Sequence, residues 1–106
     1  MKIANVALAV ALLASPVAAQ NGPFTSIGGG DSCGRWIANP SMDSSVKAWI
    51  MGFFSGRNSG SDANVGASTD ADGIVGEVKL ACQNEPSISV STATWRTYER
   101  FRREGR

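Results

Sequence analysis

Cys33 and Cys82 are the only cysteines in this 106-residue chain, and about half of its length lies between them. A bond joining them would close a loop of about fifty residues, which loop-closure entropy makes worth roughly 4 kcal/mol. That is comparable with the whole net stability of a small domain. Whether the two pair depends on the redox compartment the chain reaches.

The first nineteen residues answer that question. Lys2 supplies a short positive start, and an apolar run interrupted only by Asn5 follows to Ala14. Pro16, Val17, Ala18 and Ala19 then place small residues where a signal peptidase reads them. This three-part pattern predicts a signal peptide over residues 1–19, cleaved after Ala19. A permanent anchor needs about 20 apolar residues, and the run here is shorter. The expected location is therefore periplasmic or secreted, where disulfides persist, and Cys33 and Cys82 are expected to be bridged. The competing reading is a pair of reactive or metal-binding thiols. It finds no C-x-x-C motif and no histidine in the chain to complete a ligand set.

Cleavage leaves 87 residues, enough for one small domain. Of ten basic residues Lys2 is lost, so nine face nine acidic ones. The balance is uneven along the chain. Residues 20–95 hold four basic and seven acidic side chains, whereas residues 96–106 hold five arginines and two glutamates. A neutral exported chain is not expected to bind nucleic acid.

Residues 20–32 contain Gly22-Pro23 and three consecutive glycines, and read as a flexible lead-in to a domain over residues 33–106. Cys33 to Ile37 is a short apolar patch of one or two helical turns, broken at Asn39-Pro40. The clearest helix is expected over residues 42–55. Val46, Trp49, Ile50, Phe53 and Phe54 line one face there, Ser41 is placed to cap the first turn, and Gly56 to end the last. Residues 56–68 are rich in Gly, Ser and Asn and read as a solvated loop bearing Arg57. They lack the G-x-x-x-x-G-K-S/T order of a phosphate loop. A second helix is expected to open with Thr69 and Asp72 in a capping-box arrangement. It carries Ile74, Val78, Ala81 and Cys82 on one face and stops at Glu85-Pro86. Asp70 and Asp72 are better explained as helix-start residues than as a catalytic pair. A last helix is expected from Ser91 or Thr92, with Trp95, Tyr98 and Phe101 as an aromatic stripe and Arg96, Arg100 and Arg103 on another face. The arginines are either a solvated face or a contact surface for an acidic partner or an anionic membrane surface.

The expected core is thus Trp36, Val46, Trp49, Ile50, Phe53, Ile74, Val78, Trp95, Tyr98 and Phe101, in an all-α domain. Arg57, Arg96, Arg100 and Arg103 are candidate partner-contacting residues. Without histidine, no serine or cysteine nucleophile has a histidine base. No zinc-ligand spacing and no dinucleotide fingerprint occur. Carboxylate pairs alone can run a glycosidase, but a chain this small offers no deep cleft for them. No enzymatic activity, cofactor or metal is expected.

Three motifs then stand out: C-x-x-W at Cys33–Trp36, W-x-x-G-F-x-S-G from Trp49 to Gly56, and C-x-x-x-P from Cys82 to Pro86, with Asp72-Gly73-Ile74 between the last two. Together they resemble the small exported bacterial proteins with an HdeA-like helical fold, nearest the branch containing the Tai-type immunity domain. The resemblance implies a four- or five-helix domain with Cys33 and Cys82 bridged. It implies either an immunity-type inhibitor that covers the active site of an envelope toxin, or an acid-stress chaperone whose dimers open to hold unfolded clients. A structural or lipid-contacting envelope component is a third reading. The expected partner is another protein, toxin or client, and a homodimer is among the possibilities.

Overall fold

The computed structural model describes residues 28–106. The signal-peptide reading and most of the lead-in fall outside the described residues. Within them the chain is all-α: α1 (Cys33–Ala38), a single 3-10 turn (Pro40–Met42), α2 (Asp43–Ser61), α3 (Ala71–Asn84) and α4 (Val90–Arg103). Cys33 and Cys82 form a disulfide that ties the first turn of α1 to the end of α3. Both cysteines are fully buried.

Each boundary has a local cause. Ser32 caps α1 by accepting from the Arg35 amide, Asp70 caps α3 through the Gly73 amide, and Ser89 caps α4 through the Thr92 amide. Two of these correct the sequence reading. Asp70, not the Thr69–Asp72 pair, caps α3, and α4 starts at Val90, one turn residue earlier than expected. The expected Ser41 cap is absent as well. Residues 40–42 form a 3-10 turn that runs directly into α2, leaving no extended residue whose side chain can fold back.

The largest correction concerns residues 56–68. Gly56 does not end α2, which continues to Ser61 and closes on Asp62 in the left-handed region at φ 52°. Tertiary contacts offset the poor helix propensity of Gly56, Ser59 and Gly60. Asn58 holds both backbone groups of Val65, donating to its carbonyl at 2.9 Å and accepting from its amide at 3.0 Å. The Tyr98 hydroxyl donates to the same Asn58 oxygen at 2.8 Å.

The core lies where the four helices meet. It contains Trp36 from α1, Val46, Ile50 and Phe54 from α2, Ile74 and Val78 from α3, and Val90, Ala93, Tyr98 and Phe101 from α4, around the disulfide. The Trp36 indole donates to Asp43 at 2.8 Å, so its polar atom is satisfied despite burial. Thr94 and Thr97 are buried too, each donating its hydroxyl to a carbonyl one turn earlier.

The glycines at positions 28–30, read as lead-in, belong to the packed domain. Gly28 and Gly29 are buried, and residues 29–34 run antiparallel beside residues 86–91, with Ser32 and Ser89 bridged. The Val90 amide donates to Asp31 and the Ser91 amide to Gly29, both at 2.9 Å. A side chain at Gly29 would collide with the Trp49 indole, and Gly28 takes φ 100°. Close approach and positive φ, not flexibility, explain this pair.

Ion pairs link the helices at the surface. Glu77 on α3 accepts from Arg100 at 2.9 Å and from Arg106 at 3.5 Å. The Arg100 hydrogen bond holds its carboxyl below the usual carboxylate range, against the opposing push of partial burial. Glu99 is lowered likewise, chiefly by its hydrogen bond from Arg102. Groups with depressed folded pKa values contribute stability that is present above the unfolded carboxylate pKa and lost as pH falls through the folded value. The melting temperature should therefore be level between about pH 5 and 8, since no histidine titrates there, and decline below about pH 4. Glu77→Gln should lower it modestly at neutral pH and flatten the acid limb. A melting curve that already falls between pH 7 and 5 would contradict this assignment.

Candidate partner-binding surface

Aromatic rings run in a chain from the core to the surface between α2 and α4. Phe54 meets Phe101 and Tyr98 edge-on at 6.3 and 5.0 Å, and all three are buried. Phe53, half-buried, stands edge-on to Tyr98 at 5.9 Å and to Trp95 at 6.3 Å, and it stacks on half-buried Trp49 at 5.6 Å. The series ends at Trp95, which is 42% exposed.

Trp95 was expected in the core with Tyr98 and Phe101, and the structure corrects this. A repeat of three drifts by about 60° per step around a helix of 3.6 residues per turn. The buried face of α4 follows Val90, Ala93, Thr94, Thr97, Tyr98 and Phe101 instead. Two threonines take positions that an apolar pattern alone would not assign inward, and Trp95 is left at the edge. Trp49 and Phe53, also expected in the core, pack against its margin. The other expected core residues, Trp36, Val46, Ile50, Ile74, Val78, Tyr98 and Phe101, are buried.

Arg57, expected on a loop, projects from the fourth turn of α2. Its guanidinium carbon lies 4.2 Å from the Trp95 ring centre, 5.2 Å from Tyr98 and 6.0 Å from Phe53. It also pairs with Glu99 at 3.3 Å. Aromatic faces attract the cation, and the carboxylate fixes its direction, so Arg57 and Trp95 hold each other in place. Beside them Gly52, Gly56 and Gly60 fall one turn apart on α2. A Cβ at any of the three would meet nothing within 4 Å. They help form a shallow open recess of about 560 Å³ between Phe53, Arg57 and Ser61. The patch therefore combines an exposed indole, a preset guanidinium and an uncharged glycine floor.

Arg96, Arg100 and Arg103 lie apart from Arg57, on the other flank of α4. They border a groove of about 530 Å³ against Glu77, Leu80 and Asn84 of α3. Arg96 pairs with Glu85 at 2.8 Å and Arg100 with Glu77 at 2.9 Å. Arg103 is exposed and has no ion-pair partner among the described residues. The four arginines grouped by the sequence reading thus belong to two faces. Asn58, Leu80 and Gly60 carry no sequence signal that singles them out, whereas Gly52 and Gly56 are the glycines of the W-x-x-G-F-x-S-G motif.

Among the described residues no cluster of histidine, cysteine or acidic side chains is arranged to hold a metal ion. No described helix is long and apolar enough to cross a membrane. Comparison with known proteins finds no matching family model, no matching curated protein and no matching solved structure.

Proposed function

We propose that this protein is a non-catalytic, protein-binding domain of the bacterial cell envelope, and that it acts as an immunity-type inhibitor of an envelope toxin. The observation that carries the reading is Trp95, exposed yet held by Arg57 and Phe53, the two side chains that wall the glycine-floored recess on α2. Tryptophan, tyrosine and arginine dominate the energetics of protein interfaces, above all when seated beside pockets that exclude water. An indole with preset geometry loses little conformational freedom on binding. The motif resemblance to Tai-type proteins supports the same reading, as does the signal-peptide pattern.

Trp95→Ala should cost about 1–2 kcal/mol of stability, clearly less than loss of a buried aromatic, since the ring is 42% exposed and its contacts are Phe53 and Arg57. The same change should weaken binding to the cognate enzyme about a hundredfold, as loss of an interface hot spot does. Denaturant titration checks the first, and calorimetric titration against candidate secreted hydrolases of the producing cell checks the second. Unchanged affinity with a correctly folded variant would refute the placement of the surface.

The acid-chaperone reading draws on one observation of its own. The ties from α3 to Arg100 of α4 and to Arg106 just beyond it, both through Glu77, depend on an ionised carboxylate. Protonating every carboxylate would leave nine basic side chains unopposed in the chain after residue 19. Protection of a model client from aggregation below about pH 4, with no tight partner at neutral pH, would reverse the order of the two readings.

A further inference from the structure

We propose that the groove between α3 and α4 is a second binding surface, which takes an acidic peptide segment carrying an aliphatic side chain. It lies on the flank of α4 away from Arg57, and it stands whether or not the Trp95 face has a partner.

Leu80 is 55% exposed, above Trp95 at 42% and Ile37 at 36% among the large apolar side chains described. It stands on α3 beside the arginine row of α4, in the same groove. An isolated exposed leucine is ordinary. A leucine in a groove walled by three arginines offers an apolar seat with charged groups beside it. Arg96 and Arg103 are seven residues apart on α4, which sets them about 10 Å apart along the groove. Carboxylates two turns apart on a helical segment have the same spacing, and the residues between them would face Leu80.

The charge balance favours an acidic occupant. Arg96 and Arg100 share exposed or half-exposed ion pairs with Glu85 and Glu77. Exposed pairs of this kind are weak and can exchange partners. Arg103 is unmatched among the described residues. The acidic excess of the chain lies before residue 96, and α4 carries the opposite imbalance. An anionic membrane fits less well. Binding at a lipid surface needs a broad apolar face, and Leu80 is a single exposed apolar side chain set within a groove.

The test uses an amidated helical peptide with glutamates seven residues apart and two leucines between them. Controls replace every glutamate by glutamine or both leucines by serine. Amide shifts in the isotope-labelled protein should move at Leu80, Ala81, Thr97 and Arg100, and binding should weaken as salt rises. Arg103→Glu and Leu80→Asp each should weaken it about tenfold, while Trp95→Ala should leave it unchanged. Both groove positions are exposed, and circular dichroism verifies that each variant is folded. Equal binding of the glutamine control would overturn the proposal. So would shifts confined to the Trp95 face, or recruitment to phosphatidylglycerol vesicles with no response to the peptide.

Discussion

Replacing Cys33 and Cys82 together by serine is expected to lower the melting temperature by on the order of 20 °C. The bond closes a loop with 49 residues of sequence separation, and removing that constraint on the unfolded chain costs about 4 kcal/mol. The local consequences point the same way. α1 has six residues, far too few to persist as an isolated helix. Its place depends on the bridge and on the amides of Cys33 and Gly34, which donate to Ile88 and Pro86 at 2.8 Å. Thermal unfolding followed by circular dichroism measures the effect, and thiol titration of native protein should find no free cysteine until it is reduced. A fall of only a few degrees in the double variant would mean that the helices hold α1 without the bond.

Phe54→Ala should be nearly as costly, at roughly 3–5 kcal/mol. Phe54 is 2% exposed, and its ring joins α2 to Tyr98 and Phe101 of α4. Truncation leaves a cavity between two helices, and the Asn58–Tyr98 bond just beyond it resists collapse. Denaturant titration gives the cost directly. Its value as a test lies in the comparison with Trp95→Ala, which removes a larger side chain from the same aromatic chain. If Trp95→Ala destabilised the domain as much as Phe54→Ala, Trp95 would be a core residue and the surface assigned to it would lose its main support.

Much of the fold is legible in the sequence, because side-chain periodicity reports it. Val46 and Ile50 recur at helical spacing and are buried as expected, while Phe54, on the same face, takes the core place expected of Phe53. Ile74, Val78 and Cys82 do the same on α3, and Pro86 lies just beyond that helix's end. The pairing of Cys33 with Cys82 follows from there being no other cysteine. What is not legible depends on contacts distant in sequence. The glycine and serine content of residues 56–61 reads as a loop, and contacts distant in sequence, of Asn58 with Val65 and Tyr98 and of Arg57 with Trp95 and Glu99, hold it as helix. The glycines at 28 and 29 read as a linker, because nothing local shows that Trp49 will lie against them.

The candidate surface is legible only in part, and for a related reason. Arg57 is noticeable as a lone cation among small residues, but Trp95, the ring it covers, is disguised by the three-residue repeat that Tyr98 and Phe101 share. Thr94 and Thr97 complete the disguise by occupying the core as polar residues whose hydroxyls are satisfied within the helix. Of the glycine floor, Gly52 and Gly56 stand in the Trp49–Gly56 motif, but nothing in it shows that they face an open recess.

The most direct test of a partner at the Trp95 face is site-specific photo-crosslinking in the producing cells. A photoreactive side chain at Gly56 would enter the recess, and one at Gly76 would report on α3. Neither position has an atom within 4 Å of an added Cβ, so both should accept the probe. The account predicts one adduct of defined mass from position 56, lost on Trp95→Ala, and none of that mass from position 76. No adduct from position 56, or one that persists without Trp95, would contradict it.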